Sequence, residues 1–193
     1  PFSASESDDG NYLVVEDPAK HMRLVHIGSG ASSRIPVLFN LYPKFNSYQN
    51  GKYVLVQDLD VASLFAFDGK SLKLISVVGI SKATRAFFRP MSDELIYVDV
   101  SGNIMSAPIS GGKPSLVSQN KVYDISISPQ GNTLVAKNCR SCANAPTSDY
   151  FIKDLDSGAE KKLFCNPQNQ QYTASVTEAE WNINGDQAIV GGG

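Results

Sequence analysis

At 193 residues, with 42% apolar and 19% charged residues, the chain can bury a substantial core and is too apolar for a disordered segment. Its formal net charge is −2 and no run of five like charges occurs, so non-specific nucleic-acid binding has no electrostatic footing. No apolar run reaches the length of a membrane-spanning helix.

In chain order the sequence reads as short strands bounded by Gly, Pro, Asn and Asp. The first unit offers strands at 2–5, 12–16, 23–27 and 35–39, with turns at Gly10 and at Gly28 to Gly30. The second offers 45–48, 53–57, 63–67 and 72–78, with turns at Gly51 and Asp68-Gly69. In the third come 86–89, 95–99, 103–109 and 115–118, with turns at Ser92 and Gly111-Gly112. The fourth has 124–128, 134–137, 150–154 and 161–165, with turns at Gly131 and at Asp156 to Gly158. A fifth begins with 178–182 and a turn at Gly185. No stretch of ten residues carries a helical stripe.

Two sets of turns thus keep one period. The first set, Gly10, Gly51, Ser92, Gly131 and Gly185, is spaced by 41, 41, 39 and 54 residues, and the second trails it by roughly 20. Four strands per unit of roughly 40 residues is the pattern of a β-propeller blade. A β-sandwich also has many short strands but gives two sets of turns no reason to stay in phase. The expectation is all-β: one propeller domain over 1–193, with blades at 1–43, 44–84, 85–122 and 123–176 and the first two strands of a fifth at 177–193. Such an arc would leave raw sheet edges. It is therefore expected to be part of a larger ring, or to be completed by a partner. Ser92 lacks the Gly that positive φ favours, so that hairpin is expected to use a different turn.

Few residues carry chemistry. Nucleophilic hydrolysis needs a base beside the nucleophile. The two histidines, His21 and His26, lie five residues apart on opposite faces of a strand and read as solvated positions. No Gly-x-Ser-x-Gly elbow and no phosphate-cradling loop occurs, and Asp8, Asp9, Asn11, Asp58 and Asp60 fit turns better than a calcium loop. The expectation is a non-enzyme with no catalytic, cofactor or metal site. Arg85 to Pro90, "RAFFRP", reads as packing between blades rather than a stacking platform, and Trp181 as core. Cys139, Cys142 and Cys165 are odd in number. Cys139 could pair with Cys142, or either with Cys165; free thiols or a metal are the alternatives. Two long connections stand out as partner-binding loops. In the insertion at 138–149 the candidates are Asn138, Arg140, Asn144 and Asp149; in the connection at 166–177 they are Asn166, Gln168, Gln171 and Tyr172.

The phrases "NIMSAPISGGKPSLVS", "DISISPQGNTLVAKN", "DYFIKDLDSGAEKKLF" and "EAEWNINGDQAIV" resemble the blade repeat of TolB-type propellers. In that family a Gly-Gly-Lys-Pro-like turn precedes a Ser-Pro-Asp-Gly-like opening; Ser128-Pro129-Gln130-Gly131 and Asn182-Ile183-Asn184-Gly185 are imperfect versions of it. The fourth unit is also similar to WD-repeat propellers of translation initiation factors, although Gly-His and Trp-Asp dipeptides are missing. The resemblance implies the blade type rather than the ligand, since such repeats occur in periplasmic scaffolds, peptidase caps and surface binding proteins. The expectation is a periplasmic or secreted scaffold for protein partners, with no nucleic acid and no membrane span on the charge and hydropathy above. The alternatives it leaves are the cap domain of a prolyl-oligopeptidase-like peptidase and a cytoplasmic initiation-factor-like propeller.

Overall fold

The computed structural model describes residues 4–7, 9–36, 43–81, 86–139, 148–165, 180–182, 184 and 187–189. They form two compact units, one of residues 1–80 with 109–112 and one of residues 81–108 with 113–193. All regular structure among the described residues is β-strand.

The first unit holds two antiparallel meanders. One runs β1 (Ala4–Glu6), β2 (Tyr12–Glu16), β3 (Met22–His26) and β4 (Ser32–Arg34). The other runs β5 (Lys44–Tyr48), β6 (Tyr53–Asp58), β7 (Val61–Phe67) and β8 (Leu72–Gly79). Between them Tyr12, Val14 and Leu24 of the first sheet pack on Val54, Val56, Phe65 and Leu72 of the second. The Tyr12 hydroxyl donates to the Gly51 carbonyl, so the first sheet also holds the opening turn of the second. Burial, with the charge of Asp9, pushes that phenol up to about 12.

The second unit repeats the plan with β9 (Phe87–Phe88), β10 (Glu94–Val98), β11 (Ile104–Pro108) and β12 (Ser115–Ser118). A fourth sheet follows, of β13 (Val122–Ile127), β14 (Thr133–Cys139), β15 (Ser148–Asp154) and β16 (Glu160–Cys165). A hairpin of β17 (Glu180–Trp181) and β18 (Ala188–Ile189) ends the described fold. The fourth sheet is buried on both faces. On one, Ile125, Leu134, Ala136 and Phe151 meet Ile96, Val98 and Ile104 of the third sheet. On the other, Val135, Tyr150 and Ile152 meet Trp181, whose indole N–H donates to Ser126 Oγ at 2.9 Å. Trp181 is therefore core, as the sequence suggests.

Four expectations shift. The outer strand of the first sheet is Ser32–Arg34 rather than 35–39: Ile35 is buried just beyond its end, and 37–39 lie outside the described residues. The inner strand of the third sheet shrinks to Phe87–Phe88. His26 is no solvated strand residue, since its ring stacks on Phe67 at 4.0 Å and meets Tyr12 edge-on at 5.2 Å. His21 precedes β3, and its ring lies 3.7 Å from the Asp17 carboxylate.

The opening turns explain the period. Gly10, Gly51 and Gly131 have φ of 69°, 80° and 73°. In the third sheet Ser92 N donates to Arg89 O at 3.3 Å, matching Gly10 to Ser7 and Gly131 to Ser128, but the positive φ falls one residue earlier, on Met91 at 60°. That is the different turn expected there. Gly131 has a second constraint, because an added Cβ would overlap the Pro90 carbonyl oxygen. At Gly30, with φ of 70°, an added Cβ would meet nothing within 4 Å. Gly30→Ala should therefore cost about 1–2 kcal/mol for its left-handed backbone. Gly131→Ala should add about 1–3 kcal/mol for the overlap. Chemical denaturation of the two variants checks the difference; equal losses would contradict it.

Candidate functional site

The fourth sheet gathers most of what the sequence marks for binding. Its register forms a transverse row, Val122 opposite Asn138, Asn138 opposite Asp149 and Asp149 opposite Cys165. Cys139 ends β14 opposite Ser148, the first residue of β15, and Cys165 ends β16. The two long connections, 140–147 and the segment after 165, therefore leave the sheet at one end. Asn138 and Asp149 are not loop residues as expected but partners in the ladder, because β14 and β15 continue to the last pair before the insertion. Arg140, Cys142, Asn144, Asn166, Gln168, Gln171 and Tyr172 lie outside the described residues.

The register also bears on the cysteines. Cys139 and Cys165 sit on strands flanking β15, so their backbones are two strand spacings apart, about 10 Å. A disulfide needs Cα atoms within about 7 Å. A Cys139–Cys165 bond would have to span β15, and Cys142 lies outside the described residues.

At the same end, the turn between β10 and β11 abuts the start of β13. Val122 N donates to Gly102 O at 2.8 Å. Asp99 builds that turn by accepting from Ser101 N at 2.8 Å and Asn103 N at 2.9 Å. Burial works against the Asp99 carboxylate, but these donors and the Asn103 side chain hold it below its ordinary range. The turn's tip is Val100, 74% exposed.

One row inward lies a feature that sequence reasoning missed. Asp124 on β13 pairs with Lys137 on β14, and Lys137 with Tyr150 on β15. All three are buried, and the Lys137 ammonium lies over the Tyr150 ring at 5.9 Å. Burial lowers the Lys137 pKa, and the nearby Asp124 charge opposes that. Burial, reinforced by Asp124, raises the Tyr150 phenol. A buried pair of opposite charges costs desolvation, and losing either partner would strand the other without compensation. The row lies one register step inside the strand ends from which both connections leave. The sequence signal was faint: an Asp in "YDISIS" and a Lys closing "TLVAK", linked only by the register.

A second cluster lies at the opposite end of the same two sheets. Arg89 Nε donates to Gly131 O at 2.7 Å, its Nη1 lies 3.0 Å from Glu94, and its Nη2 pairs with Asp156. Lys153 donates to Gly158 O at 3.1 Å and lies 3.6 Å from Glu160. Arg89, Glu94, Lys153 and Asp156 border a cleft of about 350 Å³. Arg89 joins Glu94 of the third sheet to Gly131 and Asp156 of the fourth and so clamps the two sheets, whereas Lys153 ties β15 to the Gly158 turn and Glu160 within the fourth sheet. "RAFFRP" is accordingly packing: Phe87 joins the apolar core and Arg89 supplies the clamp. Among the described residues, no group of three or more His, Cys, Asp or Glu side chains could hold a metal.

No protein-family model and no curated protein matches the chain. Solved structures do match. Hsv2 of Kluyveromyces lactis aligns with a TM-score of 0.62 at 14% identity, over 94% of this chain and 56% of that one. Hydrazine synthase of Kuenenia stuttgartiensis aligns at 0.55 and 17% identity, over 96% and 53%. The yeast Nup82–Nup159–Nup116 nucleoporin complex aligns at 0.51 and 14%, over 80% and 42%. The chain thus spans about half the length of these matched chains. At such identities the likeness establishes the fold alone, which is that of a β-propeller with four four-stranded blades.

Proposed function

We propose that the chain is a non-enzymatic propeller scaffold that holds a protein partner at the loop-bearing end of its fourth sheet. The observation that carries this is the register of β13 to β16, which brings both long connections to one end beside the exposed Val100 turn. The connection at 166–177 is rich in Asn, Gln, Ser and Tyr, residues that adapt their hydrogen bonds to another protein's surface. His26, one of two possible imidazole bases, is committed to an aromatic stack. A scaffold role also suits the presence of a nucleoporin complex among the matched structures. By analogy with the TolB-type repeat, the address is extracytoplasmic.

Replacing residues 140–147 with a two-residue hairpin turn should leave the thermal transition nearly unchanged and reduce partner co-purification about tenfold. Loss of folding would show instead that the insertion is structural. The address is tested by alkylating the natively purified protein under denaturing conditions and weighing it. An oxidised pair predicts one alkylated thiol before reduction and three after. Three alkylated thiols at the outset would contradict an extracytoplasmic address.

A further inference from the structure

Each sheet ends in an outer strand whose far edge could accept another strand. Proteins blunt such edges by shortness, charge or cover. Here β4 has only three residues and includes Arg34, and β12 has four. β16 has six but carries Glu160, Lys161 and Lys162. β8 is different. It is the longest strand among those described, eight residues reading Leu72-Lys73-Leu74-Ile75-Ser76-Val77-Val78-Gly79, with one charge and no proline. No described strand pairs with its outer edge, and Val77 is 43% exposed. A register shift leaves Ile75 as an extra residue against β7, but β12 and β16 have the same irregularity, so the bulge does not set β8 apart.

We propose that β8 is the interface of a two-fold dimer of this chain, pairing antiparallel with β8 of a second copy so that the two sheets become one. The strand's own chemistry selects a second copy as the occupant. Two-fold antiparallel pairing places one residue opposite its own counterpart and reverses the rest. Centred on Ser76, it sets Ile75 against Val77, Leu74 against Val78 and Lys73 against Gly79. The one charge therefore never faces itself, and the long Lys73 side chain lies where the opposing strand has none. Every other opposed pair is apolar except the central serines, which can hydrogen-bond across the junction. The pairing is closed, because each copy contributes the same edge.

Sedimentation velocity of the 193-residue chain over a range of concentrations tests this. A monomer–dimer equilibrium is expected. Val77→Lys, with an unchanged far-ultraviolet spectrum, should weaken it at least about tenfold, while Leu116→Lys on the β12 edge should leave it unchanged. If Val77→Lys fails to fold, an excess of the peptide LKLISVVG should dissociate the native dimer. A monomer at every concentration, a dimer indifferent to both Val77→Lys and the peptide, or open-ended growth would each overturn the proposal.

Discussion

A four-stranded sheet with apolar side chains on both faces cannot stand alone in water, and this constraint organises the second unit. In β14, Leu134 and Ala136 belong to the core shared with the third sheet, while Val135 belongs to the one shared with Trp181. Alternation along one strand thus supplies two interfaces at once. Such a sheet must be stacked on both sides, and a short repeat that keeps its phase supplies the neighbours. The turns keep that phase by holding backbone in the left-handed region, and side chains reaching from one sheet to the next lock it. Tyr12 to the Gly51 carbonyl and Arg89 to the Gly131 carbonyl are two versions of one device, a side chain from the leading sheet satisfying the opening turn of the following one.

Stacking divides the sheet into regions with different tasks. The middle rows are apolar and carry stability. The turn end carries Arg89, which clamps the third sheet to the fourth, and Lys153, which braces the last turn of the fourth sheet. The other end carries the long connections, and there the row of Asp124, Lys137 and Tyr150 departs from the apolar rule. Buried charge is tolerated when paired, and removing one partner would leave the other uncompensated. A rigid base under variable loops is the usual way a fold presents a binding surface.

Much of this was legible in the sequence because its causes are local. Period-two runs mark strands, and Gly10, Gly51 and Gly131 announce turns that need positive φ. Where local signals compete, the reading slipped. The apolar run after Arg34 drew the first outer strand past the polar triplet that forms it, since pairing with β3 rather than hydrophobicity decides β4. The insertion looked longer than it is because nothing local in Asn138 or Asp149 shows that they face each other across a ladder. The Arg89 contacts, reaching 42 and 67 residues along the chain, and the Asp124–Lys137–Tyr150 row depend on register and stacking. Neither is written in any window of the sequence.

Cross-linking mass spectrometry of the natively purified protein tests most directly whether partners bind at the loop end of the fourth sheet. Exposed lysines lie at both ends of the second unit: Lys121 beside the loop exits, and Lys113 and Lys161 near the opposite turns. The account predicts that cross-links to co-purifying proteins concentrate on Lys121. Cross-links confined to Lys113 and Lys161 would place the partner at the clamp end and contradict it.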